Sequence, residues 1–337
     1  MEIPLRNIYY ILSYAWKYFK FNDLSKLDKK DFNSPTEFFA EIFDLCLGRY
    51  VKKGLKKNYV QINEELKGIK SKVDFSMTIK TNGFRLKKFY CTYDDFTENN
   101  IINQVIKFTL LGFLKANISI EQKSSLKRKL VFFGKVDNIT VNNYTFSKVK
   151  YTRDNFNLNF LINICKYVYS NSGFDEKSGE FTMSDFSNSK SMPMVFENFI
   201  LNFYKEKLDG YKVRGGEHIK WKSESINSLY PVMKTDITIR GNKKTYVIDT
   251  KFKKDVFQYN YDTPKFNSSN IYQIYTYLDN FQSENSELEG MLLYPTTHTT
   301  VRDSNTISGK KININTINLN QEWKLIENEL LELIEPQ

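Results

Sequence analysis

The stretch from Pro231 to Phe252 constrains this chain more than any other. Two strand-like runs flank Gly241-Asn242, a turn signal. Strand alternation sends Tyr246, Ile248 and Thr250 to one side and Val247, Asp249 and Lys251 to the other. A carboxylate and an ammonium therefore share one face of an otherwise apolar strand. Burying such charges is costly unless they are paired or bind a ligand. Asp236 lies on the preceding run, placed to converge with Asp249 across the hairpin. Two neighbouring carboxylates repel and invite a cation, and Mg2+ suits them because it takes oxygen ligands and keeps several waters. A metal held this way polarises a phosphodiester and generates a hydroxide, which a nearby lysine orients. A structural Asp–Lys pair on a half-buried strand explains the same residues, and D-x-K spacing alone does not choose between the two.

Several other chemistries are excluded. His218 and His298 are the only histidines, and neither sits in a motif for a zinc site, a Ser-His-Asp triad or a Cys-His dyad. Cys46, Cys91 and Cys165 are odd in number and lack CxxC spacing, which fits buried thiols in a reducing cytoplasm. No GxxxxGK[ST] segment occurs, so the chain has no P-loop for a nucleotide. The N-terminus lacks the basic start and apolar run of a signal peptide, and no apolar run is long enough to span a membrane. The net charge of +10 favours a polyanionic partner such as nucleic acid.

The 337 residues suffice for two domains. Apolar periodicity predicts helices near 5–20, 35–53, 100–115, 155–170, 193–208, 269–280 and 320–334. Strands are expected within 58–92, at 129–134 and 137–148, and then near 211–222, 229–239, 244–252 and 289–294. The Ser-, Asn- and Gly-rich segment 171–192 reads as a linker between a domain of 1–170 and one of 193–337. The order of elements in the second half suggests an α/β core with a mixed sheet.

Several blocks carry a family resemblance: Ile3 to Trp16, Gly54 to Tyr59, Glu64 to Gly68, Cys91 to Asn99, Met192 to Phe199, Met233 to Ile237, Ile248 to Phe252 and Tyr272 to Tyr277. Together they resemble the McrC family, the nuclease subunit of McrBC-type restriction systems, within the PD-(D/E)xK nuclease superfamily. Thr235-Asp236 stands where that superfamily has Pro-Asp. The resemblance implies an α+β or α/β fold: an N-terminal mixed α/β partner-docking domain, then a PD-(D/E)xK domain with a central mixed sheet flanked by helices. It implies a Mg2+-dependent DNA endonuclease. Asp236, Asp249 and Glu197 would hold Mg2+, Lys251 would assist the attacking water, and Gln273 and Tyr277, one helical turn apart, would stand beside the site. A solvated helix position explains Glu197 as well, and ordinary helix packing explains Gln273 and Tyr277. The implied partners are double-stranded DNA, a separate McrB-like AAA+ GTPase that docks on residues 1–170, and a second copy for double-strand cutting. A multi-subunit type II system with an McrC-like subunit, or a non-catalytic adaptor, would use the same residues.

Overall fold

In the computed structural model, the described residues are 3–18, 32–149, 156–174, 181–183, 190–223, 227, 229–253, 255–260, 263–282, 287–298 and 300–334. They divide into two units, one of residues 1–35 with 184–337 and one of 36–183. One cut between them falls near residue 183. The first 35 residues, however, belong with the C-terminal half.

The unit of residues 36–183 opens with α2 (Pro35–Lys52), numbered after α1 (Leu5–Ala15) of the other unit. The three-stranded antiparallel sheet comes next, with strands β1 (Asn58–Leu66), β2 (Lys72–Val73) and β3 (Phe89–Thr97) in the order β1-β3-β2. Two short helices, α3 (Phe75–Lys80) and α4 (Gly83–Leu86), lie among the short strands expected within 58–92. Helix α5 (Ile101–Lys115) starts at Asn100, whose side chain accepts from the Asn103 N–H and donates to the Lys56 carbonyl.

The strands expected at 129–134 and 137–148 do not form. Helix α6 (Ile120–Leu130) runs into a 3-10 turn at Val131–Phe133, and α7 spans Asn143–Ser147. A Ser119–Gln122 capping box starts α6 and satisfies N–H groups at both ends of the box. The apolar Leu130 to Phe133 run that resembles a strand is the end of that helical segment. Helix α8 (Phe156–Asn171) and the paired β4 (Ser172–Phe174) and β5 (Phe181–Met183) complete the unit.

The other unit is built on a six-stranded mixed sheet. Its elements are α9 (Met192–Lys207), β6 (Lys212–Gly215), β7 (His218–Ile219), β8 (Met233–Lys234), β9 (Ile237–Arg240), β10 (Lys244–Thr250), β11 (Phe257–Asn260), β12 (Thr263–Phe266), α10 (Ser268–Asn280), β13 (Glu287–Thr296), β14 (Arg302–Ile307), β15 (Lys310–Asn318) and α11 (Trp323–Glu332). The strand order is β14-β15-β13-β10-β9-β6. β10, β13 and β15 are mutually parallel, and the other neighbouring pairs are antiparallel.

The two faces of β10 are buried under different helices. Val247 packs with Ile274, Tyr277 and Leu278 of α10, together with Leu292 and Ile312. On the other face, the Tyr246 hydroxyl donates to the Ile334 carbonyl just past α11. Helix α1 joins this second layer. Its Asn7 amide donates to the carbonyls of Leu319 and Gln321, and Tyr10 stacks on Trp323 at 4.2 Å. Gly290 of β13 lets α10 lie close to the sheet, because a Cβ there would stand 2.8 Å from both Ile274 and Leu278 side-chain carbons. That close approach sets the height of Gln273 and Tyr277 above β10.

Candidate functional site

The register of β9 against β10 ends with Ile237 opposite Ile248, which brings Asp236 opposite Asp249 one step further on. The Asp236 backbone is held by its carbonyl, which accepts from the Gly216 N–H at 3.1 Å. Its side chain is held too: Oδ2 accepts from the Thr250 backbone N–H at 2.8 Å and from the Thr250 hydroxyl at 2.9 Å. Asp249 is only 1% exposed, and neither of its carboxylate oxygens has a hydrogen-bond partner. Lys251 Nζ stands 2.7 Å from Asp249 Oδ2, but off the directions of a hydrogen bond. The contact is an ion pair to Oδ2, and Oδ1 is left without a partner. Lys251 is anchored elsewhere, donating to Gln273 Oε1 at 2.9 Å. Gln273 Nε2 in turn donates to the Tyr277 hydroxyl at 2.8 Å, which fixes which end of the amide faces the lysine.

Electrostatics follow from this packing. Burial pushes the Asp249 carboxyl up to about 6, the charge of Asp236 pushes it the same way, and Lys251 partly offsets both. Glu197 on α9 is also raised, first by burial and then by Asp236, with Lys234 opposing and Asp249 adding a little. Burial raises the Tyr277 phenol, and its bond from Gln273 lowers it. Tyr294, whose hydroxyl accepts from Asn270, lies close enough to feel Asp249 as well.

The expected residues are therefore gathered unequally. Asp249, Lys251, Gln273 and Tyr277 form one line of contacts, and Asp236 meets them through Thr250. Glu197 feels both aspartates without making an ion pair among the described residues. No group of three or more His, Cys, Asp or Glu side chains that could hold a metal ion is formed among the described residues. The Asp249 carboxylate, buried with Oδ1 unpartnered and a second carboxylate opposite, has the donor chemistry a hard cation takes. Magnesium at such a pair would supply polarisation of a phosphate oxygen and a more acidic bound water.

Sequence reading missed Thr250. Its signal lay between Asp249 and Lys251, but alternation put it on the opposite face, and its partner Asp236 was visible only through the β9–β10 register. The basic and aromatic residues near the site are spread out: Lys253 and Lys265 are exposed and Phe257 packs on Phe266, while Lys254 and Tyr261 lie outside the described residues. A cavity of about 530 Å³ lined by Tyr211, Lys243, Lys244 and Tyr246 opens at the start of β10, away from the aspartates at its end. The chemistry-bearing residues and this cavity are separate features.

A family model described as McrBC 5-methylcytosine restriction system component matches residues 5–295. The Escherichia coli K12 type IV methyl-directed restriction enzyme EcoKMcrBC is 32% identical over 345 residues, covering 99% of this chain and 97% of that protein. Among solved structures, the fold is similar to a chain of the half-complex from the tetradecameric assembly of Thermococcus gammatolerans McrB AAA+ hexamers with bound McrC. That likeness has a TM-score of 0.56 at 18% identity, over 98% of this chain and 75% of the other.

These matches correct the narrower expectations. They name the McrBC system, and McrB hexamers together with McrC, so the assignment to the McrC nuclease subunit gives way to the family as a whole. The PD-(D/E)xK fold class gives way to likeness with a chain of that assembly. The endonuclease assignment rested on the McrC resemblance, and it goes with it. The same holds for the separate McrB-like GTPase as partner, and for double-stranded DNA and a second copy, which were tied to the cutting role. The matches name both kinds of subunit, and the chain has no GxxxxGK[ST] loop. They carry the family. Among the described residues, no helix is long and apolar enough to cross a membrane.

Proposed function

Because this chain belongs to the family of McrBC 5-methylcytosine restriction system components, we propose that it serves methyl-directed restriction, with its working site at Asp236, Asp249 and Lys251. The observation that carries this reading is the buried Asp249, whose two oxygens lack hydrogen bonds while a second carboxylate stands opposite. Asp236 and Asp249 hold Mg2+. Lys251, oriented by Gln273 and through it by Tyr277, meets the negative charge of a phosphate brought to the ion. Glu197 adds negative potential from α9 without ligating. The partner is the complementary subunit of a McrBC assembly. Residues 36–183 are the docking unit, a role supported by large exposed apolar side chains there, among them Tyr59, Phe75, Phe84 and Phe96. Buried free cysteines fit work in the cytoplasm.

The test is restriction in cells that carry the rest of the system, challenged with phage DNA containing 5-methylcytosine. Asp249→Asn and Lys251→Ala each abolish restriction while the protein stays folded and assembled. Wild-type restriction by both variants overturns the site.

A further inference from the structure

The aspartate pair is held asymmetrically. Asp249 meets one cation, Lys251 at Oδ2, and its Oδ1 has no partner. Asp236 has two donors, both from Thr250 and both on Oδ2. Among the described bonds none reaches Asp236 Oδ1. A carboxylate on a short side chain turns about its last bond, so a single donor leaves its free oxygen to swing. Two donors from one residue, one on the backbone and one on the side chain, fix the plane of the group. The carbonyl bond to Gly216 fixes the backbone from which that side chain springs. Because Thr250 is the neighbour of Asp249, both aspartates are referred to the same two residues of β10.

We propose that Thr250 is a positioning residue for a divalent cation: by occupying Asp236 Oδ2 it presents Oδ1, and Oδ1 alone, towards the ion shared with Asp249. The proposal rests on the metal-site reading above and adds to it. Mg2+ tolerates little departure from octahedral geometry, and a ligand fixed before binding loses less freedom when the ion arrives. The Thr250 side chain never touches the ion. Its effect passes through the Asp236 carboxylate.

The experiment is a Mn2+ titration of the full chain, followed by the electron paramagnetic resonance of free Mn2+, in wild type, Asp249→Asn, Thr250→Val and Thr250→Ser. Valine keeps the shape and the backbone N–H but removes the hydroxyl donor, and serine restores it. Wild type is expected to bind one ion and Asp249→Asn none. Thr250→Val binds about tenfold more weakly, the scale of one hydrogen bond to a charged group, and Thr250→Ser stays within about twofold of wild type. Thermal melts without metal confirm that each variant folds. If wild type and Asp249→Asn bind alike, the metal-site reading fails and the clamp with it. If Asp249→Asn abolishes binding but Thr250→Val binds as wild type does, the clamp alone is overturned. A Thr250→Ser variant as weak as Thr250→Val also overturns it, since the hydroxyl is then not what matters.

Discussion

Replacing Asp249 with asparagine should stabilise the metal-free protein at neutral pH while removing its response to metal. In the folded chain the Asp249 carboxyl is pushed from 3.8 up to about 6, chiefly by burial and then by Asp236. A group whose folded value is raised contributes stability that is fully present below the unfolded value and is lost as pH climbs through the folded one. The window therefore runs from about pH 4 to just above pH 6. At about 1.4 kcal/mol per pH unit, the interval corresponds to about 3 kcal/mol. Asparagine does not titrate, so this loss is absent in the variant. The gain at pH 8 falls below the full figure, because Lys251 loses its ion-pair partner. The assay is urea unfolding of wild type and variant in a chelator at several values between pH 4 and 8. The difference in stability should move by about 3 kcal/mol in the variant's favour across that range. Added Mg2+ should restore wild type and leave the variant unchanged. Two pH profiles that run parallel would refute the reasoning, since Asp249 would then titrate alike in the folded and unfolded chains.

Lys251→Met leaves Asp249 buried without a cation and should destabilise the metal-free protein by about 3 kcal/mol at pH 8, less below pH 6. Adding Asp249→Asn should recover most of that loss, a coupling read from a double-mutant cycle by urea unfolding. Gly290→Ala pushes a methyl group into Ile274 and Leu278 and should cost about 1–3 kcal/mol in the same assay, with a weaker site because α10 lifts Gln273. Asn100→Ala removes the cap of α5 and its bond to the Lys56 carbonyl, for a loss of about 1–2 kcal/mol. Hydrogen exchange should localise that loss to the unit of residues 36–183.

The parts of the site that could be read from the sequence are those set by local periodicity. Alternation along Lys244–Thr250 put Val247 and Asp249 on one face, and the Gln273–Tyr277 spacing put both on one side of a helix. What was not legible depends on chain segments far apart. Helix α1 belongs with the C-terminal half because Asn7 bonds to Leu319 and Gln321, and nothing in residues 5–15 announces those partners. Strand β14, Arg-Asp-Ser-Asn-Thr-Ile, is an exposed edge with no apolar alternation, so it carries no strand signal of its own. The Lys129 to Gly134 run has the composition of a strand, but the Ser119–Gln122 box upstream had already committed the segment to a helix. Glu197 came from the family resemblance and not from any local pattern; the structure adds that burial and the charge of Asp236 raise its carboxyl.

The central claim is that Asp236, oriented by Thr250, and Asp249 share a divalent ion. The most direct test is a crystal grown with Mn2+ and an anomalous difference map collected at the manganese edge. The account predicts one peak between Asp236 Oδ1 and Asp249, about 2.1–2.2 Å from each ligating oxygen and slightly longer than for Mg2+, and no peak there in Asp249→Asn. A wild-type map with no density at the pair, or with manganese bound only elsewhere, would contradict it.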